Sequence, residues 1–449
     1  MDSPWTVERL AEFAVGASAE DLPPTATEAA GRCLIDTLGA AAAGRPTPAA
    51  KALAGFSTRA FAPGPCTVWY EGAALTPEAA AVANSAAASA LDLDDGHRAA
   101  GGHPGAAVLP AALAAAELVG APGRGVLEAV VVGYEVGVRV AAGRNPATLD
   151  TYSTGRWAAY AAAAAAGRLY GFSPDLLAHA LAVAGVLSPG LSAAGYSRLM
   201  GNSTKEGIPW AVFTGLAALD LVRRGWTGPL DILDHPDYYD ADRIANGLGG
   251  APFAVEGVYF KPYGCCRWIH AALDALTALL SEHRISPEEI EEIRVDTFGR
   301  AVSLSNEPAP STLEGAQYSI PFCLALAAVH GPQALLPLAA ERLRDPPVLE
   351  LAHRVRLSVD PELDSLFPQQ TPARVVLSTR GRRLNRRVDT PKGDAGNPLS
   401  RAALEAKFRS LALWGGVSQE RADRILTAAG ELSFHRVTSL MELLRPSAP

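Results

Sequence analysis

The chain is 449 residues long, 49% hydrophobic and 19% charged, with 47 acidic against 39 basic side chains and a formal net charge of −8. That length and apolar content exclude a disordered chain and leave room for two or three domains around a large core. The acidic balance argues against a nucleic-acid partner.

Met1-Asp-Ser-Pro-Trp5 is acidic and has no apolar run, so no signal peptide is expected. The longest apolar stretch, Val126 to Ala142, is interrupted by Glu128, Glu135 and Arg139, which argues against a membrane span. Helical spacing predicts helices over Val7–Val15, Ala26–Ala43, Pro77–Leu91, Ala106–Leu118, Gly123–Ala142, Gly155–Tyr170, Pro174–Val186 and Pro209–Arg224. Several start on a proline, which supplies a helical φ and needs no donor there. Many of their faces are alanine and glycine, as expected of closely packed, buried helices.

Between the third and fourth of these helices runs Leu91-Asp-Leu-Asp-Asp-Gly-His-Arg-Ala-Ala-Gly-Gly-His-Pro-Gly105. It holds three carboxylates, Asp92, Asp94 and Asp95, and two imidazoles, His97 and His103. A carboxylate beside a histidine orients the ring and tunes it for acid–base work. The bland alternative is aspartates capping the next helix and solvated histidines. Metal binding is a further option, but no Glu-x-x-His or His-x-x-x-His spacing supports it. Further on, Thr151-Tyr-Ser-Thr-Gly-Arg-Trp157 offers Arg156, either a carboxylate clamp or a helix-start ion pair. Gly201-Asn-Ser-Thr-Lys-Glu-Gly-Ile-Pro-Trp210 offers Lys205, either an anion ligand or a surface lysine.

After about Pro252 the pattern changes. Tyr259-Phe-Lys-Pro-Tyr-Gly-Cys-Cys-Arg-Trp-Ile-His270 leads into a helix expected over Arg267–His283, and places Lys261 and Arg267 near its positive end, a carboxylate-binding arrangement. Cys265 and Cys266 are packing residues or, less simply, nucleophiles. Alternation puts Ile293, Val295 and Thr297 on one strand face, then Val355, Leu357 and Val359, then Val375, Leu377 and Thr379. Arg380-Gly381 reads as a hairpin turn to a return strand near Leu384–Val388. In Gly315-Ala-Gln-Tyr-Ser-Ile-Pro-Phe322, Tyr318 is either a substrate-binding phenol or a core tyrosine. From Ser400, a plausible N-cap, the chain is helical again.

These elements predict a mainly α protein: a large all-helical domain over residues 1–254, a smaller α+β domain over 255–396, and C-terminal helices over 397–449 returning to the first. No P-loop, no Gly-x-Ser-x-Gly elbow and no Gly-x-Gly-x-x-Gly after a strand is present, so nucleotide binding and serine hydrolysis lack their signals. The five cysteines, odd in number and without a Cys-x-x-Cys pair, argue against disulfides and iron–sulfur or structural zinc sites and suit a reducing cytoplasm.

Taken in order, Ala83-Asn-Ser-Ala, Leu91-Asp-Leu-Asp-Asp, Gly102-His-Pro-Gly105, Lys205-Glu-Gly-Ile-Pro-Trp210, Lys261-Pro-Tyr, Cys266-Arg-Trp-Ile-His270, Ala316-Gln-Tyr-Ser-Ile-Pro-Phe322 and Asn397-Pro-Leu resemble the MmgE/PrpD family over nearly the whole chain. The resemblance implies a helical domain with an α+β lid, a homodimer, no metal and no organic cofactor. It also implies a dehydratase, decarboxylase or epimerase that moves a proton beside a carboxyl group of a small acid. On motif matches, Asp92 and His103 fall on site positions of the helical domain, and Lys261 and Tyr318 on site positions of the lid. Tyr152 and Cys265 stand where relatives carry histidine, and Tyr196 and Arg198 lie near the position of a further site lysine. The expectation is a cytoplasmic, cofactor-independent hydro-lyase acting on a di- or tricarboxylate, with an epimerase, a decarboxylase or a catalytically silent binding protein as alternatives. Its catalytic residues would be His103, Asp92, Lys261, Tyr318 and Tyr152. Its substrate ligands would be His97, Arg156, Lys205, Cys265 and Arg267.

Overall fold

The computed structural model describes residues 3–190 and 201–446. The first part of the chain is helical: α1 Thr6–Gly16, α2 Pro24–Gly44, α3 Pro48–Ala60, α4 Pro77–Ser89, α5 Gly105–Val119, α6 Gly123–Ala142, α7 Ala158–Leu169, α8 Pro174–Val186, α9 Ile208–Arg223 and the short α10 Ala241–Ala245. Two small ribbons interrupt it. β1 Pro63–Thr67 pairs with β2 Ala74–Leu75, and β3 Gly96–His97 pairs with β4 Val258–Tyr259, both antiparallel.

α7 is buried all round, from Ala158 to Gly167, which marks a central helix rather than an amphipathic surface one. Small residues set its spacing. A Cβ at Gly137 on α6 would come within 2.5 Å of the Ala161 Cβ, and one at Gly133 within 2.9 Å of the Ala165 Cβ. α3 escapes sequence reading because it buries only Ala50 and Ser57 and so carries no apolar stripe.

The later part contains α11 His270–His283, α12 Gly299–Val302, α13 Leu313–Ala316, α14 Ile320–His330, α15 Pro346–Ala352 and α16 Pro361–Asp364. With them comes a sheet of β5 Ile290–Thr297, β6 Val355–Val359, β7 Ala373–Thr379 and β8 Arg382–Val388, in the order β6-β5-β7-β8. β5 runs parallel to β6 and antiparallel to β7, and the expected hairpin joins β7 to β8 with Thr379 opposite Arg382. On β6, an edge strand, Val359 is exposed. The chain ends in α17 Arg401–Trp414, α18 Gln419–Gly430 and α19 Val437–Leu444, with the Ser400 hydroxyl capping α17 by accepting from the Ala403 amide.

The protein is thus mainly α with small sheets. One hydrophobic cluster gathers α1, α2, α4–α9 and α17–α19, and a second gathers α11, α14 and the larger sheet. A third, of Ala40, Ala43, Leu91, Leu93 and Leu411 with Leu313 and Leu336 packed against it, contains two leucines of the Asp/His loop itself. No described helix is long and apolar enough to cross a membrane. All five cysteines carry free thiols.

Candidate active site

The chain leaves α4 through Asp92, a non-glycine residue in the left-handed region (φ 54°), which aspartate tolerates better than most side chains. Its carboxylate is held by two lysines from distant parts of the sequence. Lys261 Nζ, fully buried just after β4, donates to Asp92 Oδ2 at 2.7 Å and to the Asp92 carbonyl at 3.1 Å. Lys205 Nζ lies 3.6 Å from Oδ1. Burial alone would push the Asp92 carboxyl up, but Lys261, Lys205 and His103 outweigh it and hold the group well below the usual carboxylate range. Burial would likewise push the Lys261 ammonium down, and Asp92 reverses it, keeping the amine above its ordinary range. Asp92 and Lys261 therefore form an ionised pair in the protein interior.

His103 enters just before α5. Its Nδ1 lies 2.8 Å from the Asp95 carbonyl oxygen. A carbonyl only accepts, so this contact puts the proton on Nδ1 and leaves Nε2 as the nitrogen available for exchange. Nε2 is 3.7 Å from Asp92 Oδ1 and 3.6 Å from Glu206 Oε1, beyond direct hydrogen bonding but close enough to share a ligand atom. Thr154 ties the arrangement together. Its Oγ1 accepts from the His103 amide at 3.0 Å, and its own hydroxyl and amide donate to Glu206 Oε2. Asp94 Oδ2, 1% exposed, sits 3.5 Å from His103 Nδ1 and has no hydrogen bond. Burial raises the Asp94 carboxyl.

Behind His103 lies a second buried carboxyl. Asp95 accepts from the Tyr134 hydroxyl at 2.6 Å and from the Gly105 amide at 2.9 Å. Burial, reinforced by Asp36, pushes it up to about 7. Asp36 in turn meets Lys407 Nζ at 2.6 Å, and the same ammonium donates to the Leu93 carbonyl at 2.7 Å, within the Asp/His loop.

A cavity of about 290 Å³ opens over this cluster, lined among the described residues by Asp92, Asp94, His103, Lys205, Glu206 and Trp210, with residues of α3, α4 and the stretch leading into α9 making up the rest of the wall. Lys205 has a positive φ of 43° just ahead of α9. It donates to the Ser89 carbonyl at 3.0 Å and to Gln317 Oε1 at 2.8 Å. Gln317 Nε2 donates to the Ala90 carbonyl at 3.1 Å, so the Gly315–Phe322 stretch reaches the end of α4. The neighbouring Tyr318 is 8% exposed. Burial raises its phenol, and Asp92, Glu206, Cys266 and Asp94 raise it further, which places it within electrostatic reach of the cluster.

Of the residues read from the sequence, Asp92, His103, Lys205 and Lys261 converge here, with Tyr318 close by. The others sit elsewhere. His97 pairs with Val258 in the β3–β4 ribbon, and its ring faces Gly257. Burial holds it down at about 4, so it is neutral near physiological pH. Arg156 meets Asp150 at 3.6 Å and the Pro189 carbonyl, the helix-start ion pair of the bland reading. Cys265 is fully buried against Cys323 in the second hydrophobic cluster. Arg267 is committed internally. Its two Nη atoms serve the Lys392 and Pro391 carbonyls, Asp394 and His270 Nδ1, and its guanidinium stacks 4.7 Å over the Tyr259 ring, so it cross-links this part of the chain. Tyr152 packs on the Gly101 turn of the loop with Arg300 over its ring. Tyr196 and Arg198 lie outside the described residues.

Glu206, Thr154 and Gln317 complete the site without standing out in the sequence. A carboxylate directly beside a site lysine, one residue before a glycine-initiated helix, is the signal that could have pointed to Glu206. No group of three or more histidine, cysteine, aspartate or glutamate side chains among the described residues is arranged to hold a metal ion.

Two family models match the chain in sequence order, the MmgE/PrpD N-terminal domain over residues 8–241 and the MmgE/PrpD C-terminal domain over 263–432. Cis-aconitate decarboxylase of Aspergillus terreus (strain NIH 2624 / FGSC A1156) is 28% identical over 474 aligned residues, covering 97% of this chain and 94% of the relative. The cis-aconitate decarboxylase-like protein oryM of Aspergillus oryzae (strain ATCC 42149 / RIB 40) is 27% identical, covering 94% and 93%. With both family domains matched in order and full-length relatives of the same kind, the chain belongs to the MmgE/PrpD family.

Proposed function

We propose that the protein is a cofactor-independent lyase or isomerase that moves a proton α to a carboxyl group of a small di- or tricarboxylate-like acid. The observation that carries this is the convergence of His103, Asp92 and Lys205 on one cavity, with the buried Lys261 paired to Asp92 behind its wall. With Nδ1 turned to the Asp95 carbonyl, Nε2 can take a proton from the α carbon or return one to it. The negative charge that then develops on the adjacent carboxyl group faces the Lys205 ammonium, with Lys261 behind Asp92, in surroundings largely shielded from water. In this reading residues 255–396 act as a lid that brings Lys261, Gln317 and Tyr318 to the helical domain.

The shared step allows two outcomes. Loss of carbon dioxide agrees with the names of the relatives. Loss of water from a hydroxy acid by the same α-proton step is the second outcome the test distinguishes. The test is incubation with citrate, 2-methylcitrate, cis-aconitate and related acids in D2O, followed by NMR for α-deuterium, alkene formation and carbon dioxide release. His103→Gln should lower whichever activity appears by 10² to 10⁴, roughly the contribution of a general acid or base. An active His103→Gln enzyme, or a wild-type protein inert towards every acid, would overturn the reading.

A further inference from the structure

Resting on that reading, we infer that Asp94 is a further catalytic residue, a carboxylic acid that donates a hydrogen bond to a carboxyl oxygen of the substrate. Asp94 lines the cavity, is 1% exposed, and receives no hydrogen bond at Oδ2. The ring nitrogen beside it, His103 Nδ1 at 3.5 Å, already directs its proton to the Asp95 carbonyl. An ionised carboxylate buried without a donor is strongly disfavoured, and such a group takes a proton instead.

The charges around Asp94 support the same state. Asp92, Asp95 and His103 stand near it on its own loop, Lys205 and Glu206 ahead of α9, Lys261 after β4, Asp36 on α2, and the Tyr318 phenol ahead of α14. Lys261 and Lys205 both approach Asp92, and Lys407 meets Asp36. The ammonium groups of Lys205, Lys261 and Lys407 are thus matched by Asp92, Glu206 and Asp36 before Asp94 and Asp95 are counted. Burial raises both of these remaining carboxyls. Asp95 has the Tyr134 hydroxyl and the Gly105 amide to donate to it, whereas Asp94 has the cavity. An ionised Asp94 would repel a substrate carboxylate. A protonated one turns the same contact into a charge-assisted hydrogen bond. When His103 Nε2 takes the α proton, negative charge builds on that carboxyl group and the bond strengthens, as with other carboxylic acids kept neutral by an apolar site. The proton stays on Asp94 throughout.

Tricarballylate, a tricarboxylate with neither a hydroxyl group nor a carbon–carbon double bond, tests this by binding alone. Infrared difference spectra at neutral pH should show a carboxylic-acid C=O band that Asp94→Asn removes. Adding the probe to the wild type should move that band to lower frequency, because the acid begins to donate. By calorimetry, Asp94→Asn, which keeps an N–H donor on a side chain of the same shape, should hold the wild-type affinity to within about threefold, whereas Asp94→Ala should lose about tenfold or more. A band that Asp94→Asn leaves intact, a band that the probe does not move, no binding of the probe, wild-type affinity in Asp94→Ala, or Asp94→Asn binding as weakly as Asp94→Ala would overturn the assignment. The shift in the wild type needs no variant to fold. α-Exchange in D2O, measured separately, reports on the proton-transfer reading, so the two can fail independently.

Discussion

At the scale of single residues, the site is a small set of charges whose balance is set by burial. Lys261 is fully buried and its ammonium meets little besides Asp92. Lys261→Met would leave the Asp92 carboxylate buried without its nearest counterion, and removing one partner of such a pair costs about 3–5 kcal/mol. The double variant Asp92→Asn/Lys261→Met, with no charge left to strand, should recover most of that loss while remaining inactive. Thermal denaturation of the three proteins checks this. A single variant as stable as the double would show that the pair is not desolvated. Asp95 makes a pH prediction. Its carboxyl rises from an ordinary 3.8 to about 7, chiefly through burial, so the folded protein holds that proton more tightly than the unfolded chain. The stabilisation is fully present below the unfolded value and is lost as pH rises through about 7. Asp95→Asn removes this dependence. The melting-temperature advantage of wild type over the variant should therefore shrink between pH 4 and pH 8, and a constant difference would count against a raised Asp95.

This is also the scale at which the sequence is most and least readable. Asp92 and His103 stand out as candidates because acid–base side chains cluster on a glycine-rich loop, and Lys261 and Tyr318 because the motifs that carry them resemble those of the family. Arg267 shows what the sequence cannot display. A guanidinium at a helix start suits a carboxylate ligand, and only the fold shows that its two Nη atoms meet Asp394 and two carbonyls more than a hundred residues away. Glu206 hides behind Lys205, since a charged pair before a helix looks like solvated surface until Thr154 is folded against it.

At the scale of elements, short segments do the positioning. The β3–β4 ribbon has only two residue pairs, Gly96 with Tyr259 and His97 with Val258, yet it fixes the loop carrying Asp92, Asp94 and Asp95 beside the segment carrying Lys261. Gly96 makes the pairing possible by absence. A Cβ there would lie 2.3 Å from the Tyr259 ring and hydroxyl, closer than any real contact. Gly96→Ala must push Tyr259 aside, and Tyr259 carries the Arg267 guanidinium on its face. The expected outcome is a fall in kcat of tenfold or more with the helical circular dichroism retained, because Lys261 is displaced relative to Asp92 while the large core is untouched. Wild-type turnover in Gly96→Ala would show that the ribbon does not set the site. The long helices were legible from their apolar spacing and proline starts. The ribbon was not, since two residues are too few to show alternation.

At the scale of the whole molecule, the C-terminal helices reach the site through Leu411, packed with Leu91 and Leu93, and through one buried polar side chain. Lys407, 4% exposed on α17, spans Asp36 on α2 and the carbonyl of Leu93 between Asp92 and Asp94. A contact spanning 371 positions has no local signature, so nothing in the sequence around Lys407 distinguishes it from a surface lysine of an amphipathic helix. Its two bonds make separable predictions. Lys407→Met strands the Asp36 charge and should cost about 3–5 kcal/mol. Adding Asp36→Asn removes the stranded charge and should restore most of the stability. It cannot restore the donor to the Leu93 carbonyl, so the loop keeps its apolar packing on Leu411 but loses its hydrogen bond to α17. If Lys407 positions the loop, the double variant regains its melting temperature but keeps a reduced kcat and a largely unchanged KM, because the cavity residues that would meet the substrate are all still present. If Lys407 serves stability alone, kcat recovers together with the melting temperature. Steady-state kinetics and thermal denaturation on the same two proteins decide whether the helices that close the chain also hold the loop that would do the chemistry.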